Sequence, residues 1–305
     1  MKHIAISLLD YKGQEKTLNC LRSIDKLNLK DISLTVIVVD NYKEGTFSFG
    51  KEKYKKFTPI LIKNKKSLGF AGGQNVGIHE ALKRGAEYIV ILNNDTYLDE
   101  NLLQELMIAQ EADKTRGAIV PKIYFQPGQE FHKAKYTEKD LGKVIWYAGG
   151  HIDWANVYGI HEGVDEVDKG QFEKSKKVDL LTGCCVMIAA EVFKNVGVFD
   201  EKYFLYFEDA DLNMRIKKAG YSIYFHPKAL LWHYNAASTG GSGSSQQDYF
   251  FSRNRMLFGM KYASRRTQIA LFREAITLLK TGREWQKKGI KDFFLRKFGS
   301  GSYEV

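Results

Sequence analysis

Carboxylate side chains follow two apolar segments of this 305-residue chain, at the point where each segment ends. The run "VIVVD" ends in Asp40, and "YIVILNND" ends in Asn93, Asn94 and Asp95. If both runs are parallel strands, their carboxyl ends lie at one edge of a sheet, where open α/β folds bind ligands. Two such aspartates on neighbouring strands would frame one crevice, which favours a functional role for the pair. Asp40 taken alone is explained equally well as a cap or turn former.

A second acidic cluster contains Glu208, Asp209 and Asp211 and opens a predicted helix. Four aromatic residues precede it, at positions 203, 204, 206 and 207. A carboxylate beside apolar walls acquires the raised pKa that suits a general base. The alternative is structural, because acidic groups also favour the positive end of the helix dipole.

The stretch "LGFAGGQNVG" at residues 68–77 is predicted to be a glycine-rich loop before a helix. Glycine permits close approach of the backbone to a ligand, and the helix N-terminus favours an anion. The spacing is not G-x-G-x-x-G, so a dinucleotide site is not indicated and a structural loop is the alternative. His233 follows a short apolar strand. A single histidine is usually an ordinary hydrogen-bonding residue, and the alternative role as a ligand requires that it reach Asp95.

Alternating strands and helices must position these groups. Apolar runs predict strands at 3–9, 34–40, 59–64 and 87–95, and helical periodicity predicts helices at 15–27, 74–85 and 100–112. This order predicts an α/β fold with a mostly parallel central sheet covered by helices on both faces.

The pattern changes after residue 117, so we divide the chain into segments 1–117, 118–248 and 249–305. The middle segment is predicted to hold strands at 118–125 and 143–154, a strand and then a helix within 176–197, a helix at 208–220, strands at 221–227 and 229–234, and a flexible loop at 238–248. The last segment is helical and basic.

Composition excludes several classes of protein. The 44% apolar and 27% charged content is typical of a soluble globular chain. No apolar run approaches the roughly 20 residues needed to span a bilayer, and the N-terminus does not resemble a signal peptide. Three cysteines at positions 20, 184 and 185 give neither a disulfide framework nor a metal motif. We therefore expect reduced thiols and a cytoplasmic location.

The net charge of +10 is concentrated in residues 250–298, which hold thirteen Lys and Arg against three acidic residues. Apolar residues are interleaved with these basic groups over 262–298. One interpretation is a helical pair packed on the main domain, and the other is a peripheral helix on the cytoplasmic face of an anionic membrane. A nucleic-acid module would leave Asp95, Asp209 and His233 unexplained, so we predict no nucleic-acid partner.

Seven motifs in this order resemble the inverting family 2 glycosyltransferases of the GT-A fold, and among them the rhamnosyltransferase-like members. They cover residues 3 to about 260 and read "VVDN", "GFAGGQNVG", "LNNDT", "LLTGCCVMI", "VGVFDEKYFLYFEDADLNMR", "HYNAAS" and "YFFSRNR". The resemblance implies that segment 1–117 binds the nucleotide sugar, that 118–248 binds the acceptor and holds the catalytic base, and that 249–305 is a helical extension.

The resemblance also implies a role for individual residues. Asp40 would hydrogen-bond the nucleotide base. The other donor-binding candidates are Asn41, Gly69, Phe70, Ala71, Gly72, Asn75, Asn94 and Arg253, the last as a phosphate contact.

For the reaction, the resemblance implies that Asp95 and His233 bind Mg²⁺ or Mn²⁺ on the diphosphate. Asp209 would be the catalytic base, with Glu208 as the second choice. Asn93 stands where the family often has an aspartate.

The implied function is sugar transfer from a nucleoside-diphosphate sugar, first of all L-rhamnose from dTDP-rhamnose, to a saccharide or lipid-linked saccharide in surface polysaccharide synthesis. Asp10, Tyr11 and Lys12 replace the family's usual Asn-Tyr-Asn, so the nucleobase stays open. The alternative enzyme is a sugar nucleotidyltransferase, but the segment after the first strand lacks the glycine-rich, arginine-containing loop of that class. The oligomeric state is open.

Overall fold

A computed structural model describes residues 1–234 and 243–304. The main elements of residues 1–117 are, in chain order, β1 (Lys2–Asp10), α1 (Gln14–Ile24), β2 (Ile32–Asp40), β3 (Ile60–Lys63), α2 (Gly69–Lys83), β4 (Tyr88–Asn93) and α3 (Leu102–Glu111). The strands pair in the order β4-β1-β2-β3, and all of these pairings are parallel. The predicted parallel βαβ core is therefore confirmed.

Within the described residues, eight further strands follow β4. They are β5 (Thr96–Leu98), β6 (Arg116–Phe125), β7 (Ile145–Tyr147), β8 (Gly150–Asp153), β9 (Tyr158–His161), β10 (Lys176–Val178), β11 (Cys185–Ala189) and β12 (Ser222–His233). Beyond β4 the sheet continues in the order β11, β6, β12 and β10, while β5 pairs with β12 and β7 with β6. Strands β8 and β9 form a separate hairpin.

Strand β11 runs antiparallel to both of its neighbours, β4 and β6. Its amino end therefore lies at the edge where β1, β2, β4, β6 and β12 present their carboxyl ends. Loops that follow the parallel strands and the loop that precedes β11 meet at this edge.

The remaining helices are α4 (Ala190–Val196), α5 (Glu208–Lys218), α6 (Ser245–Tyr262), α7 (Arg265–Thr281) and α8 (Glu284–Phe294). A short 3₁₀ turn spans Lys133–Lys135. The main core lies around β4, whose Ile89, Val90, Ile91 and Leu92 are fully buried. No helix in residues 1–234 or 243–304 is both long enough and apolar enough to cross a membrane.

Four sequence predictions about elements were wrong in whole or in part. Helix α2 begins at Gly69, so the glycine-rich stretch forms the first turns of a helix and not a loop. Strand β12 is continuous through Pro227, because the register with β6 jumps between His226 and Leu230 and leaves the proline unpaired there. The predicted strand at 143–154 is two strands in different sheets. Residues 238–242 of the predicted loop at 238–248 lie outside the described residues, and 245–248 are the first turn of α6 and not a loop.

Candidate active site

A cavity of about 500 Å³ lies at the carboxyl edge of the sheet. Residues from both sequence halves line it, including the ends of β1, β4 and β12, the start of α2, the loop before β11 and the start of α5. Eight of the predicted site residues are among the lining residues: Asn41, Gly69, Phe70, Asn94, Asp95, Glu208, Asp209 and His233.

Asp95 and His233 lie side by side on one wall of this cavity. Short strand β5 pairs with the end of β12, and Thr96 is opposite His233, so the residue before Thr96 faces the imidazole. The imidazole Nε2 lies 3.1 Å from Oδ1 of Asp95. Burial would raise the pKa of Asp95, but the hydrogen bond and the charge of His233 outweigh burial and hold that pKa below its ordinary value. Asp95 is therefore ionised at neutral pH.

The donor set of this pair fits a divalent cation on a diphosphate. Mg²⁺ is usually held by one or two carboxylates together with substrate phosphates and water, so a complete cage of protein ligands is not required. The described residues contain no group of three His, Cys, Asp or Glu that could hold a metal by themselves. Nδ1 of His233 is buried and has no hydrogen-bond partner in 1–234 or 243–304, so this nitrogen is available to a ligand.

Asn94 lies beside this pair at the end of β4. Its side-chain amide donates hydrogen bonds to Oγ1 of Thr17 at 2.8 Å and to Oδ1 of Asp10 at 3.3 Å. Burial raises the pKa of Asp10, and the nearby charge of Asp40 raises it further, although the hydroxyl of Thr17 acts in the opposite direction. The amide of Asn94 is thus held toward α1 by partners of its own.

Glu208 and Asp209 open α5 and line the same cavity. Burial raises the pKa of both carboxyls, and the charge of Asp209 raises the pKa of Glu208 further. Asp209 accepts hydrogen bonds from the backbone N–H of Gly183, at 3.2 Å, and of Ala210, at 2.7 Å. Oε2 of Glu208 is buried without a partner in the described part of the chain. Because hydrogen-bond donors favour a charged carboxylate, we assign the negative charge of the pair to Asp209 and the proton to Glu208.

The segment before these carboxylates, residues 203–207, which we call the aromatic turn, has an unusual backbone. Phe204, Tyr206 and Phe207 have φ angles of 66°, 67° and 71°, in the left-handed region that side chains with a Cβ disfavour. Such residues cost about 1–3 kcal/mol each and persist only where surrounding contacts hold them.

Side chains of α6 supply those contacts. The amide nitrogen of Asn254 donates to the carbonyl oxygens of Tyr203, Leu205 and Tyr206 at 2.7, 2.8 and 2.9 Å. Arg253 donates to the carbonyl of Tyr203 at 3.0 Å. This pair therefore fixes the backbone that leads directly into Glu208 and Asp209.

The first turns of α2 pack against the aromatic turn and β1. A Cβ at Gly69, whose φ is +69°, would lie 2.3 Å from the carbonyl oxygen of Phe204, and a Cβ at Gly77 would lie 2.0 Å from Oγ of Ser7. Glycine is needed at both positions because the backbones approach too closely for a side chain. Gly69 and Phe70 line the cavity, whereas Ala71 and Gly72 are not among its lining residues.

A family model described as "Glycosyltransferase like family 2" matches residues 10–257. The chain belongs to this family. Among curated proteins, this glycosyltransferase is 27% identical over 222 residues to the N-acetylglucosaminyl-diphospho-decaprenol L-rhamnosyltransferase of Mycobacterium tuberculosis (strain CDC 1551 / Oshkosh), covering 70% of each chain. It is 25% identical over 227 residues to the dTDP-rhamnosyl transferase RfbF of Shigella flexneri, covering 74% of this chain and 67% of that protein.

Among solved structures, the crystal structure of GalNAc-T7 with UDP, GalNAc and Mn²⁺ matches with a TM-score of 0.60 at 15% identity. The match covers 97% of this glycosyltransferase and 58% of that chain. The identity is low, so the likeness concerns the fold. The predicted GT-A fold, a mostly parallel sheet flanked by helices, is thereby confirmed, and so is the predicted family.

Three predicted donor-binding residues make structural contacts instead of lining the cavity. The carboxylate of Asp40 accepts the backbone N–H groups of Tyr42 and Phe47, which is the turn-forming alternative raised from the sequence. The side-chain amide of Asn75 donates a hydrogen bond to the carbonyl of Phe199 and accepts one from the N–H of the same residue. Asn41 does reach the cavity, but its side chain is also engaged with neighbouring loops.

Arg253, predicted as a phosphate contact, joins Asp40 and Asn75 as the third predicted residue that makes structural contacts. Its guanidinium is fully buried and donates to backbone carbonyls, including that of Gly299 at 2.7 Å, and it does not line the cavity. A fully buried guanidinium whose donors are used by carbonyls has none left for a phosphate. The "RN" motif of this glycosyltransferase thus holds the aromatic turn.

Sequence reasoning missed part of the cavity wall. Trp146 on β7 and His161 on β9 face the cavity, and their rings lie 4.6 Å apart at a steep angle. Burial lowers the pKa of His161 to about 4, so its imidazole is neutral at pH 7. The sequence showed only that these two aromatic residues lie in a segment that departs from βαβ order. Nothing in their spacing indicated that they line the cavity.

Proposed function

We propose that this glycosyltransferase moves a sugar from a nucleoside-diphosphate sugar to a hydroxyl of a saccharide or lipid-linked saccharide, with inversion at the anomeric carbon. The observation that carries the proposal is that one cavity holds both the Asp95–His233 pair and the Glu208–Asp209 pair. The first pair suits a metal-bound diphosphate, and the second suits removal of a proton.

Asp209 is the proposed general base. Its raised pKa makes it a stronger proton acceptor than an ordinary aspartate, and the N–H groups of Gly183 and Ala210 keep it ionised and oriented. As the acceptor hydroxyl attacks the anomeric carbon, its proton passes to Asp209 and the bond to the diphosphate breaks. One displacement of this kind inverts the anomeric centre. Protonated Glu208 limits the negative charge beside the reacting hydroxyl.

Asp95 and His233 are the proposed ligands of Mg²⁺ or Mn²⁺. When bound, the cation would offset the charge that develops on the departing nucleoside diphosphate. The Mn²⁺ named with the structural relative supports a divalent metal. The start of α2 at Gly69 and Phe70, whose N-terminus favours an anion, is the proposed wall for the donor.

The donor sugar proposed first is L-rhamnose carried on dTDP, because two curated relatives are named rhamnosyl transferases. Trp146 and His161 are proposed to contact the acceptor. A sugar ring can pack on the indole, and a neutral imidazole both donates and accepts hydrogen bonds to hydroxyls.

A panel of nucleoside diphosphates and nucleotide sugars, each with Mg²⁺, Mn²⁺ or chelator, tests the proposal by thermal shift. A ligand at 100 times its Kd should stabilise the protein by about 2.7 kcal/mol. The best donor is then incubated with saccharide acceptors, and release of nucleoside diphosphate is measured. Stabilisation by no sugar nucleotide would contradict the proposal. Turnover that requires pyrophosphate in place of an acceptor would indicate a nucleotidyltransferase.

A further inference from the structure

Helices α7 and α8 are firmly packed on one side. A Cβ at Gly259 of α6 would lie 2.2 Å from Leu271 of α7, and a Cβ at Gly289 of α8 would lie 2.4 Å from the carbonyl of Tyr249 of α6. These close approaches make both helices part of the folded body. The first interpretation of the C-terminal segment, a helical pair packed on the main domain, therefore explains the inner face of α7 and α8.

The outer face of the same helices is apolar and exposed. Ile269, Phe272 and Ile276 are spaced by three and four residues, so they form one row along α7, and they are 56%, 45% and 41% exposed. The ring of Phe294 at the end of α8 lies 5.8 Å from that of Phe272, and the next residue, Leu295, is 64% exposed. We call these five residues the outer apolar row.

Basic groups flank this row. Arg265, Arg273 and Lys280 lie four residues from Ile269 or Ile276, so they flank the row on α7. Four more exposed basic residues of this region are Arg266, Lys291, Arg296 and Lys297, while the exposed Arg283 is paired with Asp248. None of these seven has a salt bridge within residues 1–234 and 243–304, whose ion pairs involve other residues.

The acidic residues of the two helices do not offset this charge. Glu274 pairs with Arg255 of α6 at 2.6 Å, and Glu284 pairs with Lys288 at 2.9 Å. Asp292 is buried and accepts hydrogen bonds from the inner side. The outer apolar row therefore lies in a strongly positive surface.

We infer that this face of α7 and α8 binds the surface of an anionic lipid bilayer, with the outer apolar row entering the interface and the flanking basic groups contacting lipid phosphates. An amphipathic surface of exposed Phe and Ile bordered by Lys and Arg fits such a membrane. A second copy of the chain fits poorly, since a two-fold contact would bring like charges together. The inference does not depend on the transfer reaction.

Co-sedimentation with vesicles tests the inference on the full chain. We expect binding to vesicles of phosphatidylcholine with about one third phosphatidylglycerol, little binding to phosphatidylcholine alone, and weaker binding as salt rises. The double variant Phe272→Ser/Ile276→Ser should lose most of the binding. Its matched control, Phe131→Ser/Ile108→Ser, changes residues that are 56% and 55% exposed elsewhere and should bind normally.

A charge-reversal pair tests the electrostatic part. Arg273→Glu/Lys280→Glu should weaken partition at least tenfold, because each basic group near the surface contributes about fivefold. Lys51→Glu/Lys114→Glu, which reverses exposed charges on the main domain, should have a smaller effect. Circular dichroism and thermal unfolding verify that each variant is folded.

Three results would overturn the inference: no binding to anionic vesicles, equal binding to neutral and anionic vesicles, or binding that the Phe272 and Ile276 changes leave intact. Light scattering tests whether a second copy of the chain covers this face instead. A dimer of the parent protein that Phe272→Ser/Ile276→Ser converts to a monomer, without vesicle binding, would assign the face to a second copy.

Discussion

The side-chain amide of Asn254 donates to the carbonyl of Tyr206, two residues before Glu208, at 2.9 Å. Through this bond and its two companions, a residue that does not line the cavity sets the backbone that carries the proposed base. Asn254 is therefore a positioning residue, and the left-handed aromatic turn is the element that it positions.

Replacement of Asn254 by Ala should impair both stability and turnover. Loss of donors to buried carbonyls costs about 1–3 kcal/mol for each group left unpaired, so the free energy of unfolding should fall by at least that amount. Urea unfolding measures it. The kcat should fall more than donor affinity, because the aromatic turn leads directly into the proposed base, whereas Asp95 and His233 lie at the ends of β-strands that Asn254 does not contact. Asn195→Ala, at an exposed amide, is the control, and a kcat equal to that of the control would exclude the positioning role.

Asp209→Asn should lower kcat by roughly 10²- to 10⁴-fold, the usual size of a general-base effect, with little change in donor binding. Single-turnover kinetics with saturating donor measure the loss. Glu208→Gln should be milder, because Glu208 is proposed to be protonated already. A crippled Glu208→Gln beside an active Asp209→Asn would reverse the two roles.

The pH profile should show an acidic limb. Burial raises the pKa of Asp209, and the base acts in its ionised form, so activity should fall as pH decreases through that raised pKa. The limb should therefore lie at higher pH than the value near 3.9 of an unperturbed aspartate. The dependence of kcat on pH measures it, with donor binding at each pH as the control. A flat profile down to about pH 4 would contradict the assignment.

Asp95→Ala should abolish metal-dependent binding of the nucleoside diphosphate, and His233→Ala should weaken it. The two side chains are neighbours at 3.1 Å and are the proposed protein ligands of the cation. Titration calorimetry with and without chelator measures the effect. Asp99→Ala, a nearby carboxylate outside the cavity, is the control. Equal binding by Asp95→Ala and the parent would remove the metal site from this position.

Asp211 should make stability depend on pH. Burial alone would raise its pKa, but hydrogen bonds from Lys261 and Arg215 outweigh burial and lower it. Since the folded pKa lies below the unfolded value, this carboxylate stabilises the fold above about pH 4, and the contribution is lost as pH falls through the folded pKa.

Asp211→Asn should therefore cost about 1–3 kcal/mol at neutral pH, because it weakens the charge-assisted hydrogen bonds that this buried carboxylate accepts from Arg215 and from the exposed Lys261. The cost should shrink in acid. Urea unfolding at several pH values measures it. Glu284→Gln, in an exposed pair with Lys288, should cost no more than about 1 kcal/mol. A cost that stays constant with pH would show that Asp211 is not the titrating group.

Much of this fold could be predicted because its strands are uninterrupted apolar runs. The residues of β4 between Tyr88 and Asn93 are fully buried, so hydrophobicity alone identifies them. The glycine-rich start of α2 was misjudged because glycine disfavours an isolated helix. Here close packing of Gly77 on Ser7 and of Gly69 on Phe204 requires it, and such packing is invisible in sequence.

The candidate site was predicted less completely. The contact between Asp95 and His233 depends on the pairing of β5 with β12, across 138 positions of sequence. The role of Arg253 could not be read from its residue type, because a guanidinium suits phosphate and backbone carbonyl alike. Trp146 and His161 depend on strands that follow the regular βαβ units.

The contacts that hold the aromatic turn also order events during synthesis. Asn254 and Arg253 leave the ribosome about fifty residues after the carbonyls they bind, and Arg253 is itself oriented by the carbonyl of Gly299. While the nascent chain is still growing, the parallel core can assemble, but the three left-handed residues have no partners to hold them. The proposed proton acceptor can therefore reach its working geometry only after residue 254 has been synthesised, so a ribosome stalled earlier would carry a parallel core without a competent site.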